Sequence, residues 1–103
     1  MSNVPLKVTF SLSGPVALIA YRGELEIANA PRVAAQLHAL LEAGAHEILV
    51  DLTETTFLDC ACIGVLVEVA GIAHEHGGRL YVFRAQGQPR KLIERSRLGR
   101  VAV

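Results

Sequence analysis

The sequence predicts a single α/β domain with a mixed sheet of about four strands and helices packed against it. Two observations lead to this prediction. The chain has 103 residues, of which 51% are hydrophobic, so one domain can form a core from aliphatic side chains. Strand-like and helix-like segments follow in the order β-β-α-β-α-β-α, which is typical of parallel strands joined by helices after an initial antiparallel hairpin.

The first two segments form the predicted hairpin. Residues Lys7–Ser13 alternate polar and apolar side chains, which is the period of a half-buried strand. Ser13-Gly14-Pro15 indicates a turn, and Val16–Tyr21 is a second segment rich in strand-forming residues.

The first helix is predicted to begin after Asn29 and to end at Gly44. Asn29 is a good N-cap residue, Pro31 is tolerated in the first turn, and glycine is common where helices end. The apolar positions between them have helical spacing. They are Val33, Leu37, Leu40 and Leu41.

A buried strand and a second helix come next. Glu47–Leu52 contains the short β-branched run of a strand covered on both faces, and the polar residues Thr53–Thr56 indicate a turn. Asp59 can then cap a helix that runs to about His76. Gly77-Gly78 is predicted to end this helix.

The last strand and the third helix complete the order. Leu80–Phe83 is predicted as a strand. Pro89 begins the third helix, and Leu92 and Ile93 are its predicted core contacts.

The sequence contains no recognisable catalytic motif. Neither GxxxxGK[ST] nor GxGxxG is present, so there is no standard phosphate-binding loop. His74 and His76 are spaced i, i+2, which places them about 200° apart on a helix, so both cannot coordinate the same metal ion. We therefore expect no enzyme activity, no catalytic residues, no cofactor and no metal.

The compartment is predicted from three features. Met1-Ser2-Asn3 lacks the basic start of a signal peptide. The apolar runs are shorter than the roughly 18–20 residues of a membrane helix. Cys60 and Cys62 are too close in sequence to be a secreted disulfide framework. We expect a cytoplasmic protein that does not insert into a membrane.

The two cysteines have two interpretations. At the start of a helix, backbone N–H groups lower a thiol pKa, whereas the neighbouring Asp59 raises it. Cys60 and Cys62 are either small core residues or a redox-sensing pair, and the sequence leaves both open.

With these elements in order, the chain resembles a STAS domain, the fold of bacterial anti-sigma-factor antagonists. The resemblance runs from about Val8 to Leu98, and it includes Glu26, where the family usually has aspartate, and the polar helix cap Asn29. Three groups of segments carry it. They are Gly23–Ala30; Ile48–Leu52 with Thr56–Asp59 and Ile63–Leu66; and Gly77–Leu80 with Ser96–Leu98.

The family's switch segment differs in this chain. It reads Asp-Ser-Ser/Ala/Thr-Gly-Leu-Gly in the family and Asp-Cys-Ala-Cys-Ile-Gly at residues 59–64 here. The resemblance places the phosphoacceptor at Ala61, which has no hydroxyl group. Cys60 stands at the preceding serine and Cys62 at the family glycine.

The predicted second helix is apolar on two sides, whereas a surface helix should bury one stripe. The expected core stripe is Ile63, Leu66, Val67 and Ala70. The second stripe is Val65, Val69 and Ile72. This second stripe either packs against another helix or forms an exposed partner surface beside residues 59–64.

The resemblance implies a non-catalytic module in transcription regulation in bacteria. It would dock a kinase-like anti-sigma factor through the Asp59–Gly64 loop and the start of the second helix, without phosphorylation at Ala61. The expected binding residues are Asp59, Cys60, Ala61, Cys62, Gly64, Val65, Val69 and Ile72.

Two alternatives stay open. One is a soluble STAS component of a lipid transporter, and the other is a variant that responds to redox conditions through Cys60 and Cys62. No nucleic acid partner is expected, and a homodimer is a further open alternative. Nine of the ten acidic residues lie in residues 1–78 and seven of the ten basic residues in residues 79–103, so an acidic partner or a neighbouring copy could bind the basic end.

Overall fold

The computed structural model describes residues 5–98 and contains five strands and three α-helices. The hairpin, the alternating order and all three helices match the sequence prediction. The elements are β1 (Lys7–Ser13), β2 (Val16–Leu25), a 3-10 turn (Ile27–Asn29), α1 (Ala30–Glu42), β3 (Glu47–Asp51), β4 (Thr55–Leu58), α2 (Cys60–Glu75), β5 (Arg79–Phe83) and α3 (Gly87–Glu94).

The sheet is mixed, as predicted. Its strand order is β1-β2-β3-β5, and β4 also pairs with β2. The tight turn after Ser13 makes β1 and β2 antiparallel, whereas the helical crossovers make β2, β3 and β5 parallel. The α/β fold class is therefore confirmed.

The segment Thr55–Leu58 is a strand, although the sequence predicted a turn at Thr53–Thr56. Its partner is the far end of β2, where Gly23 pairs with Thr55 and Leu25 with Leu58. Thr55 is buried, and its hydroxyl donates a hydrogen bond of 2.9 Å to the carbonyl of Tyr21. This bond satisfies a polar side chain inside the core, so the polar sequence is compatible with a strand here.

The core lies between one face of the sheet and the helices α1 and α2. Alternate residues of β2 point into it, which is why they are buried while their neighbours are not. Its largest fully buried side chains include Tyr21, Ile19, Leu37, Ile48, Leu66 and Leu80. The Tyr21 hydroxyl donates to Gln36 of α1 over 3.1 Å, and burial raises the pKa of this phenol.

Asn29 occupies the N-cap position of α1, but its side chain does not cap the helix. The side-chain amide instead donates a hydrogen bond of 2.9 Å to the carbonyl of Glu24. The reason is the 3-10 turn before α1, which brings Asn29 back to the end of β2. Asn29 therefore fixes the chain where the sheet ends and α1 begins.

The two glycines after α2 have different roles. Gly77 has a φ of 81°, the left-handed conformation in which helices commonly end. At Gly78 the chain passes against the backbone before β3, and a Cβ atom there would lie 1.9 Å from the carbonyl oxygen of His46. The same oxygen accepts a hydrogen bond of 2.8 Å from the N–H of Arg79. Gly78 therefore permits β3 and β5 to start side by side.

Gly78→Ala is expected to lower the free energy of unfolding by about 1–3 kcal/mol, since the added methyl overlaps backbone atoms that must move apart. Urea denaturation followed by circular dichroism measures the change. Gly71→Ala is the control, because a Cβ there meets no atom within 4 Å. That control should gain about 0.5–1 kcal/mol from helix propensity, and equal behaviour of the two variants would contradict the steric assignment.

Candidate functional site

Asp59 caps α2, as the sequence predicted. Its backbone is extended, with φ −110° and ψ 173°. Its Oδ1 accepts hydrogen bonds from the N–H groups of Ala61 (3.0 Å) and Cys62 (3.2 Å). Two N–H groups of the first helical turn are thereby satisfied, which fixes the conformation of residues 59–64.

The end of β2 holds the start of α2 in place. The N–H of Asp59 donates to the carbonyl of Leu25 over 3.1 Å, and the thiol of Cys62 lies 3.4 Å from the carbonyl of Glu26. The 3-10 turn that follows β2 also contacts α2. Glu26 and Ile27 therefore lie beside the first turn of α2.

A side chain of α3 holds the residue before Asp59. The N–H of Leu58 donates to Oε1 of Gln88 over 2.9 Å, and Nε2 of Gln88 donates to the carbonyl of Leu58 over 2.7 Å. The amide of Gln88 therefore pairs with β4 as a further strand would. Gln88 was not predicted as a site residue, because no local sequence pattern indicates a contact 30 residues away.

The two cysteines lie in different environments. Cys60 is exposed, whereas Cys62 is fully buried. Burial, with the negative charges of Asp59 and Glu26, raises the pKa of the Cys62 thiol to about 11. Cys62 therefore matches the interpretation of a small core residue, and its thiol is protonated at neutral pH.

The expected partner surface on α2 needs a correction. Val69 is fully buried, and Val65 and Ile72 are half-buried. The physical reason is that α1 packs across α2 and covers this stripe, with Ile72 lying beside His38 and Leu41 of α1. Val69 is thus a core residue and cannot contact a partner in this conformation.

The exposed face of α2 is made of small residues near the loop. Cys60 and Gly64 are exposed and lie one helical turn apart, with Ala61 half-buried between them. Ile27, which no sequence pattern distinguishes, is 70% exposed in the neighbouring 3-10 turn. An exposed isoleucine beside accessible helical backbone is a surface suited to a protein partner.

Metal binding and membrane insertion were also predicted to be absent, and the described residues bear on each. Among residues 5–98, no three His, Cys, Asp or Glu side chains are arranged to hold a metal ion. His74 and His76 are exposed at the end of α2. Over the same residues, no helix is long and apolar enough to cross a lipid bilayer.

The comparisons with known proteins agree with this architecture. The sequence model of the family described as "Mlab, STAS domain" matches residues 8–103. This chain belongs to the STAS domain family. No curated protein matches the sequence at a significant level.

Solved structures of anti-sigma factor antagonists and of part of an anion transporter share the fold. The anti-sigma factor antagonist SpoIIAA in its unphosphorylated form aligns with a TM-score of 0.84 at 16% identity, over 94% of this chain and 86% of that one. An anti-sigma factor antagonist from Mycobacterium paratuberculosis aligns with a TM-score of 0.79 at 16% identity, over 95% and 83%. The murine anion transporter Slc26a9 aligns with a TM-score of 0.69 at 17% identity, over 90% of this chain but 16% of the transporter.

Replacing Asp59 is expected to loosen the start of α2. Asp59→Ala should lower the free energy of unfolding by about 0.5–2 kcal/mol, because the N–H groups of Ala61 and Cys62 lose their acceptor. Asp59→Asn keeps a side-chain oxygen and should retain most of the stability. Urea denaturation of both variants checks this, and equal losses would show that the cap does not stabilise the helix.

The two thiols are expected to react differently. Iodoacetamide at pH 8 should alkylate Cys60 in the folded protein and leave Cys62 unmodified, since thiolate is the nucleophile and the Cys62 pKa is about 11. Mass spectrometry of Cys60→Ser and Cys62→Ser identifies each site. The folded Cys60→Ser protein should be labelled faster as the pH rises towards 11 or on unfolding. Rapid labelling of Cys62 at pH 8 would refute its burial.

Proposed function

We propose that this STAS domain is a non-catalytic module that docks a kinase-like anti-sigma factor through residues 59–64 and the first turn of α2. The observation that carries the proposal is the exposed group of Ile27, Cys60 and Gly64, which we call the docking surface. Its backbone is fixed before binding by Asp59, so ordering the loop costs a partner little entropy.

The chemistry of the docking surface supports binding without phosphorylation control at this loop. Ala61 offers a methyl group where the family resemblance places the acceptor, and phosphoryl transfer needs an oxygen there. A phosphate would add about −1.5 to −2 charge at the start of α2 and oppose an apolar contact. The docking surface therefore stays available whatever the kinase activity of the partner.

Because Ala61 cannot accept a phosphoryl group, binding of a kinase-like partner would not lead to phosphorylation at this position. A partner with a kinase active site could hold this loop in the position of a substrate without transferring phosphate to it. The domain would then act as a stable ligand of the partner, and its effect would depend on the concentrations of the two proteins.

A charge on the docking surface is expected to abolish binding. Tagged wild-type protein should recover a kinase-like anti-sigma factor from a lysate of the source organism, whereas Ile27→Glu should lower the recovery at least about tenfold, equivalent to about 1.4 kcal/mol. The matched control is Phe10→Glu on β1, because Phe10 is 69% exposed and Ile27 is 70% exposed.

Two results would oppose this proposal. One is that no kinase-like anti-sigma factor is recovered in repeated experiments. The other is that such a factor is recovered equally by the wild type and by Ile27→Glu, which would place docking elsewhere on the domain. Circular dichroism of both variants establishes that each is folded.

A second candidate is a STAS component of a lipid transporter. Ala61 favours it, since STAS-like components of such transporters resemble this chain in lacking the acceptor. The similarity to part of an anion transporter also favours a STAS domain working within a transport system. Recovery of a permease and an ATPase from detergent-solubilised membranes, in place of an anti-sigma factor, would select this candidate.

The alternative of a redox-responsive variant now depends on one accessible thiol, that of Cys60. Cys62 is buried with a raised pKa, so it is a poor partner for a disulfide with the exposed Cys60. A redox response of the docking surface would therefore act through Cys60. Equal partner recovery after treatment with peroxide and with reductant would end this alternative.

A further inference from the structure

Strand β1 forms an open edge of the sheet. Within residues 5–98 it pairs with β2 alone, and its other side has no strand partner. Phe10 is 69% exposed and Leu12 is 40% exposed on this strand. An edge strand presents a row of free N–H and C=O groups, which can pair with a further strand.

The edge at β1 has few of the features that prevent such pairing. Its one charged residue is Lys7 at the start of the strand, there is no charged residue and no proline from Val8 to Ser13, and the pairing with β2 runs without a register shift. Natural edge strands are usually protected by charges, proline or bulges. The opposite edge, β5, has the exposed Arg79 at its start and the exposed Arg84 directly after it. An antiparallel pairing of β5 with itself that placed Arg79 opposite Arg84 would bring these like charges together, whereas a pairing of β1 around Phe10 places Lys7 opposite Ser13.

The surface beside β1 has space for additional apolar side chains. Val8, Phe10 and Leu12 face α1 and line a cavity of about 340 Å³ with Ala39 and Ala43. The small alanine side chains leave this space open, and Phe10 projects next to it. A protruding ring and an adjacent groove on one surface are self-complementary under two-fold symmetry.

The register of such a pair follows from the strand period. If the two-fold axis lies at Phe10, Phe10 of each copy faces Phe10 of the other, and Val8 lies opposite Leu12. Because side chains alternate between faces, all of these apolar residues stay on the helix side of the extended sheet. Displacing the pairing by one residue would mix the two faces.

We propose that this edge is a homodimer interface, in which β1 pairs antiparallel with β1 of a second copy around Phe10. The two sheets then join into one continuous sheet. The interface is distinct from the docking surface at Ile27, so the dimer and the proposed partner complex depend on different side chains.

A charge-exchange experiment tests this proposal. Sedimentation velocity of the full chain should show a concentration-dependent dimer for the wild type and for Ile27→Glu. Phe10→Glu and Phe10→Lys should each raise the dimer dissociation constant at least about tenfold, because like charges face each other across the axis. An equimolar mixture of these two variants should recover the dimer, because the charges are then opposite.

Several results would overturn the proposal. A wild type that stays monomeric at all accessible concentrations would do so, and so would a dimer that Phe10→Glu leaves intact. A mixture of the two charge variants that fails to associate would exclude pairing centred on Phe10. If Ile27→Glu loses the partner but still forms the dimer, the dimer proposal stands. The two proposals can therefore be refuted independently of each other.

Discussion

The length of β2 determines where the docking surface forms. This strand continues five residues beyond Ala20, its last residue paired with β3, and the added segment pairs with β4 after a register shift at Gly23/Glu24. That pairing brings Leu25 to the N–H of Asp59, where α2 begins. If β2 ended at Ala20, where its pairing with β3 ends, neither β4 nor the start of α2 would have a fixed position. The surface at Ile27 and Cys60 is therefore a consequence of backbone pairing inside the sheet.

The features that could be predicted from the sequence are those with local causes. Asp59 caps the helix that directly follows it, and Gly77 ends the same helix, so each signal lies within a few residues of its effect. The fifth strand could not be predicted in this way. Thr55 and Leu58 pair with residues more than 30 positions earlier, and polar side chains hide the strand period. Gln88 was missed for the same reason.

The candidate site shows a second limit of the sequence pattern. The sequence left open whether the second apolar stripe of α2 is buried or exposed, and only the position of α1 decides that Val69 belongs to the core. Conversely, Ile27 had no distinguishing pattern, because its exposure results from the 3-10 turn between β2 and α1. The loop could be predicted from its helix cap and from the family resemblance. The side chains that a partner can reach depend on how three distant elements pack around that loop.

Two hydrogen bonds between the side chain of Gln88 and the backbone of Leu58 connect α3 to the segment just before residues 59–64. Both hydrogen bonds use one planar amide group, so they form and break together. A displacement of α3 would release two backbone groups immediately before Asp59 and free the segment that leads into α2. A ligand that contacts only α3 could thus alter how rigidly the docking surface is presented, without touching it. The third helix therefore helps to hold the segment that leads into the docking surface.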